Sequence, residues 1–412
     1  MGPRLAIWAL FAAALVLAPQ VSGSSFALTL LSQMGYLAIV CLSYNILLGQ
    51  GGMLSFGHAV YSGMGAFAAV HAMNLAAVPL ALVPVLAGAA GMVLAALLGW
   101  VATRRAGTAF AMITLGIGEL AAAAALMFPG FFGGEAGVAA DRVYGAAPWG
   151  IGFGPAIQVY YLIAAYCVAC AALMYAFTGT PLGRILTAVR DNPQRVAFLG
   201  YDARRVRHLA FAVAGFFAGV GGGLAAIQFE IVTAADSMGP LRSASYLLFT
   251  FLGGTGFFFG PVVGAVLMVL ASVLLPEWTR AWPLYLGLAF LLMVLHAPGG
   301  IAGVLAANLR VARHGRLGAL AWLYLGLAAA GAVALLGASA LVEMAYRLRL
   351  DAALGPRLPF LGREIDAGSA ATWAGAAAVL ALGLGLLRIL RPRFAVRWAA
   401  VPQAIAAEEG AA

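Results

Sequence analysis

Apolar runs long enough to cross a bilayer recur along almost the whole chain, joined by short polar segments. They lie at about 5–21, 28–48, 53–72, 78–101, 108–128, 157–178, 208–229, 283–297, 317–340 and 370–389. A membrane-crossing helix needs about 20 predominantly apolar residues. A further apolar region, 243–276, is broken by glycines. The pattern predicts an all-α polytopic membrane protein with about 10 transmembrane helices plus one re-entrant or broken helix. Residues 5–21 also allow a signal-peptide reading, with Arg4 before them and Ser22, Gly23 and Ser24 after. A retained span is favoured because the rest of the chain is membrane-bound.

Composition sharpens this picture. The chain is 64% hydrophobic and 9% charged, whereas soluble domains carry about 25% charged residues. All 23 basic residues are arginine. Without a lysine the chain cannot supply a standard Walker A loop, whose lysine reaches the phosphates. The net charge of +9 does not point to nucleic acid, because the arginines sit in short joints between spans. With residue 1 inside, 16 arginines fall inside and 7 outside. The positive-inside rule then puts both termini and the 179–207 loop in the cytoplasm, and 129–156 and 341–369 in the periplasm. Cys41, Cys167 and Cys170 lie within apolar runs and read as small packing residues.

Parity constrains 243–276, which must start and finish outside. Ser243 to Gly254 gives about 18 Å of helix, short of about 30 Å of hydrocarbon. A re-entrant hairpin or a pair of half-helices follows, with the turn LGGTGFFFGP at 252–261 inside the membrane. An earlier stretch, GQGGMLSFGH at 49–58, resembles it, so the chain carries a weak internal repeat of the kind that frames transporter sites.

The 179–207 loop carries six arginines. Thr180–Pro181 and Asn192–Pro193 each pair a capping residue with a first-turn proline, and Gly200 reads as a helix terminator. Two short cytoplasmic helices follow, read as a docking surface for a soluble partner; electrostatic anchoring is the plainer alternative. Four regions result: an N-terminal transmembrane helix (1–27), a core (28–305), an extension with two transmembrane helices after the basic break 310–316 (306–398), and a disordered tail (399–412).

Four segments carry a resemblance: SYNILLGQGGMLSFGHAVYSGMGAF at 43–67, AFAMITLGIGEL at 109–120, TPLGRILTAVRDNPQRVAFLGY at 180–201 and LGGTGFFFGPVVGA at 252–265. In this order and spacing the chain resembles the LivM-type permeases of branched-chain amino acid ABC transporters, over about residues 28–305. The resemblance implies a permease subunit of an ABC importer in the bacterial inner membrane. Its solutes would be branched-chain amino acids, or related small polar solutes such as urea, amides or other amino acids. It further implies a second, LivH-like permease, two ABC ATPase subunits that supply the energy, and a periplasmic substrate-binding protein. The chain departs from the family where the short helix after Asn192 reads Pro193, Gln194, Arg195, Val196, with no acidic residue, and where it continues past 305.

The expected translocation pathway comprises Asn45, Gly51, Gly52, Gly57, His58, Glu119, Gly253, Gly254, Gly260 and Pro261. An intramembrane carboxylate such as Glu119 is costly and points to a role, either meeting a substrate ammonium or pairing with the partner permease. His58 either lines the route or bonds an unwound carbonyl. Asn45 is expected to satisfy freed backbone groups. The glycines either permit tight turns or let helices pack closely. Phe257, Phe258 and Phe259 read as packing residues rather than a gate. The expected ATPase coupling loop comprises Arg184, Arg190, Asn192, Pro193, Gln194, Arg195 and Gly200. No catalytic, metal or cofactor constellation is visible, so the chain is read as a transporter subunit and not an enzyme. An ion-coupled secondary transporter is the alternative. It usually needs several buried ionisable groups, and Glu119 stands nearly alone.

Overall fold

The computed structural model describes residues 3–21, 23–75, 78–143, 152–314, 318–350, 355–360 and 362–411. Arg316 of the basic break, Ser22, and parts of the two expected periplasmic segments lie outside them. The chain forms two compact units, Met1–Ser272 with Leu292–Gly303, and Val273–Leu291 with Val304–Ala412. The second unit therefore takes in 273–291, which the sequence reading had placed in the core.

The first unit holds α1 (Pro3–Val21), α2 (Ser25–Asn45), α3 (His58–Asn74), α4 (Val83–Ala102), α5 (Thr108–Met127), the single turn α6 (Pro129–Phe132), α7 (Ala156–Gly179), α8 (Pro181–Asp191), α9 (Pro193–Phe198), α10 (Ala203–Phe229), α11 (Ala234–Met238) and α12 (Pro240–Gly253). The strands β1 (Val138–Ala139) and β2 (Ile231–Val232) pair antiparallel. Three helices, α13 (Gly260–Trp278), α14 (Trp282–His296) and α15 (Gly300–Arg313), contribute to both units.

The axis of the first unit is α10, capped by the Asp202 carboxylate, which accepts from Arg204 N at 2.8 Å. It packs against α2, α3 and α4. Gly215, Gly219 and Gly223 recur every four residues along it and let the backbones touch. A Cβ at Gly91 would stand 2.5 Å from the Gly215 carbonyl oxygen, and one at Gly65 would strike Gly219. Small residues at such interfaces are how membrane helices gain contact, since lipid supplies no hydrophobic drive between them. Aromatic packing closes another side: Trp8 of α1 meets Tyr175, Phe258 and Phe259 at ring-centroid separations of 5.6, 6.3 and 5.2 Å. Phe258 and Phe259 are thus packing residues.

Among the described residues eight helices are long and apolar enough to cross a membrane, or nine if the bent pair α14–α15 is one span. The polytopic all-α expectation holds, and the difference from about ten lies in α1, α3 and the bent pair. The described apolar stretch of α1 is Ala6–Gln20. The span expected at 53–72 begins at His58, because the segment before it is unwound. The helix expected at 283–297 bends by 49° at Ala297–Gly299 and continues as α15 through the expected boundary at 305. The 243–276 region does turn back on itself: Gly253 lies against Gly260, and the Phe249 carbonyl against Gly264. Its arms are unequal, however. The 14 residues of α12 span about 21 Å, while the 19 of α13 reach about 28 Å, long enough to count as a span.

The second unit is built on α16 (Gly318–Arg349) and α17 (Ala370–Ala411). The bounds of α17 run through 399–411, where the sequence suggested a disordered tail. The two helices run antiparallel and touch through glycines, with Gly337 against Leu380 and Gly383 against Ala334. Between them β3 (Arg357–Phe360) and β4 (Arg363–Asp366) form a hairpin. Arg347 ties it down by donating to the Gly355 and Arg357 carbonyls at 2.9 and 2.8 Å. Glu343 of α16 accepts hydrogen bonds from Thr279 and, at 3.0 Å, from Tyr285.

Candidate translocation path and coupling surface

After Asn45 the α2 helix widens into one π turn, Ile46–Gln50, and residues 51–57 carry no helix. Gly51, Met53, Ser55 and Gly57 of this stretch are buried. Buried peptide groups need partners, and here many come from side chains on other elements. Tyr44 Oη donates to the Ser55 carbonyl at 2.6 Å and accepts from Ser55 N at 3.2 Å. Phe56 N donates to Thr114 Oγ1 of α5 at 3.1 Å. Ala59 N, in the first turn of α3, donates to Ser243 Oγ of α12 at 3.0 Å. The Gly49 carbonyl accepts from the Arg190 guanidinium of α8. Four elements thus pin one unwound segment.

The sequence reading gave part of this work to Asn45. That is corrected: the Asn45 side chain makes no hydrogen bond among the described residues, and its buried Oδ1 has no partner. The same holds for Gln50 Oε1, Ser55 Oγ and His58 Nδ1. His58 is fully buried and bonds neither a carbonyl nor an exposed path; its Nε2 lies 2.9 Å from Ser43 Oγ. The Ser43 hydroxyl also donates to the Val40 carbonyl at 2.7 Å. Its oxygen is then open to accept Nε2–H, which leaves Nδ1 as a bare acceptor. The ring packs edge-on against Tyr44 at 5.0 Å.

The glycines divide by role. Gly52 (φ +62°) and Gly254 (φ +111°) adopt conformations that other residues rarely take. Gly51, Gly57, Gly253 and Gly260 serve close approach: a Cβ at Gly57 would strike the Thr114 carbonyl, and one at Gly253 would lie 2.7 Å from Gly264 N. Gly254 is also a packing residue, because Gly300 backs directly onto its backbone. Pro261 is buried in the first turn of α13. The two glycine-rich turns meet, since a Cβ at Gly49 would stand 2.5 Å from the Thr255 carbonyl oxygen. Glu119 does not face either turn. It is exposed on α5, while its neighbour Gly118 is buried against Gly57.

The 179–207 loop folds as its capping residues suggest. Thr180 Oγ1 accepts from Gly183 N at 3.2 Å and Asn192 Oδ1 from Arg195 N at 3.0 Å. Gly200 follows α9 at φ +85°. The inner face of α8, made by Gly183, Leu186 and Val189, is buried, and Leu186 abuts Gly51. Arg184, Arg190, Asn192, Pro193, Gln194 and Arg195 are exposed. So are Phe198 and Leu199, at 90% and 70%, an apolar tip the sequence reading missed. Arg190 pairs with Asp191 at 3.0 Å, and its aliphatic stem covers Gly52.

A family model described as the permease component of branched-chain amino acid transport systems matches residues 26–298. The chain is 27% identical over 300 residues to the high-affinity branched-chain amino acid transport system permease protein LivM of Escherichia coli, covering 66% of this chain and 69% of that one. The same figures hold for LivM of Salmonella typhimurium. The autoinducer 2 import system permease protein LsrC of Photorhabdus laumondii is 27% identical over 154 residues, 35% of this chain and 45% of that one. No solved structure matches.

Proposed function

The chain belongs to the permease-component family of branched-chain amino acid transport systems, and from that premise we propose that it forms one half of the channel of an ABC importer. It is a multi-pass membrane protein, and the proposed location is the bacterial inner membrane. A second, LivH-like permease completes the channel, two separate ATPase subunits supply the energy, and a periplasmic binding protein delivers the solute. The solutes are branched-chain amino acids or similarly small polar molecules.

One observation carries the reading. A buried unwound segment is pinned by Tyr44, Thr114 and Ser243 within the bundle and by Arg190 at the 179–207 loop. Non-helical backbone at membrane depth is tolerated where it is buried in protein or lines a water-filled cavity. Asn45 Oδ1, Gln50 Oε1 and Ser55 Oγ are buried there without hydrogen-bond partners, and would meet a solute only when the segment opens. The N-termini of α3 and α13 begin at the two turns, and helix N-termini favour the carboxylate of an amino acid. Such a site can be weak, because the binding protein supplies the affinity.

Coupling then runs through α8 and α9. The exposed Phe198–Leu199 tip enters a cleft on the ATPase, and movement of α9 carries α8, whose Arg190 pulls on the Gly49 carbonyl. Glu119, exposed on an apolar helix, pairs with the second permease. Affinity purification of the chain from its native membrane tests the assembly. It should bring down a second permease and two ATPases, and their absence from a transport-competent preparation would refute the reading.

A further inference from the structure

Within the second unit α16 and α17 enclose an open groove of about 400 Å³, lined by Trp322, Pro392, Arg393, Val396 and Arg397. The Arg397 guanidinium lies 5.2 Å over the Trp322 ring, a cation–π contact that fixes both. The wall behind is aromatic. Phe394 and Trp398 stack at 5.7 Å, Tyr324 sits edge-on to Phe394 at 5.0 Å, and Tyr324 Oη donates to Asn308 Oδ1 at 2.5 Å. Among the described residues neither Arg393 nor Arg397 has an acidic partner.

The groove lies at headgroup depth. From Ala370 to Leu387 α17 is uncharged and rises about 27 Å, close to the thickness of the hydrocarbon layer. Arg393 stands about 9 Å further on. Trp322 is near the start of α16, as expected of an indole in the aromatic belt. Two guanidiniums offer forked donors to phosphate oxygens, while Pro392, Val396 and the indole offer apolar surface to the chains below.

We propose that this groove is a binding site for one acidic phospholipid, whose phosphate is held by Arg393 and Arg397 and whose glycerol and upper acyl region rest on Trp322, Pro392 and Val396. Basic pockets between membrane helices at the cytoplasmic side take such headgroups. A lipid is favoured over a soluble anion because three of the five lining residues, Trp322, Pro392 and Val396, are apolar and most of them continue a membrane-crossing helix.

The test uses the full chain in nanodiscs of phosphatidylcholine mixed with phosphatidylglycerol, extracted with neutral detergent. Lipid retained per chain is then counted by mass spectrometry. The double variant Arg393→Gln/Arg397→Gln should lower retained phosphatidylglycerol about tenfold, with phosphatidylcholine unchanged. Trp322→Leu, which leaves the net charge alone, should lower it less. The charge-matched control Arg388→Gln/Arg391→Gln removes two exposed arginines that do not line the groove, and should retain the lipid. Elution of each variant as a single symmetric species checks its fold. Equal loss in the two double variants would mean diffuse attraction and overturn the site. Displacement of phosphatidylglycerol by inorganic phosphate would assign a free-anion site instead. Unchanged phosphatidylglycerol retention in the Arg393→Gln/Arg397→Gln variant would likewise overturn the proposal.

Discussion

The Arg190 guanidinium donates a hydrogen bond to the Gly49 carbonyl, linking a helix of the 179–207 loop to the start of the unwound segment. Gly52 lacks a side chain where the Arg190 stem passes; a Cβ there would stand 2.7 Å from Arg190 Cγ. Arg190 and Gly49 are 141 positions apart, yet together they join the proposed ATPase dock to the proposed path.

Replacing Arg190 with Gln should weaken coupling while leaving assembly intact. Single substitutions along a coupling network shift the coupling by about 0.5–2 kcal/mol, so uptake should fall several-fold, and ATP hydrolysis should respond less to loaded binding protein. Uptake and stimulation both at the parent level would exclude Arg190 as the link.

Thr114→Val should destabilise the fold. It leaves the half-buried Phe56 N without its acceptor, at a cost toward the lower end of the roughly 1–3 kcal/mol of an unsatisfied buried donor. Thr114→Ser keeps the hydroxyl and should restore the melting temperature. If Val and Ser melt alike, the hydrogen bond contributes nothing.

Gly254→Leu should abolish assembly rather than plug an open path. The φ of +111° and the abutting backbone of Gly300 leave no room for a side chain, and strained backbone alone costs about 1–3 kcal/mol. A variant that assembles at normal yield but does not transport would return Gly254 to the path.

The topology can be probed without removing the native cysteines, because Cys41, Cys167 and Cys170 are all buried. An impermeant thiol reagent added from outside should label Ala140→Cys and Glu364→Cys and leave Gln194→Cys untouched. The reverse pattern would invert the orientation derived from the arginine bias.

The sequence exposed local features well and distant ones poorly. Thr180, Asn192 and Gly200 act on their own neighbours, so their caps and turn were legible from a few residues. The gap in regular helix at 51–57 was marked by its glycines. What holds that gap open to function was hidden, because Phe56 finds Thr114 58 positions away and Ala59 finds Ser243 184 away. A hydroxyl in an apolar run carries no mark of which distant peptide it serves. Asn45 drew the assignment by nearness in sequence, and Tyr44 beside it does the bonding. Glu119 was equally ambiguous, since period alone does not say which face of α5 meets the bundle.

The central claim is that transport through this chain is driven by ATP hydrolysis on separate subunits. Proteoliposomes containing the chain, a second permease and two ATPase subunits, supplied with binding protein and labelled leucine, test it most directly. ATP at the ATPase side should drive accumulation, and removing the ATPases or the ATP should abolish it. Accumulation by the chain without ATPases, driven by an imposed proton or sodium gradient, would contradict the account.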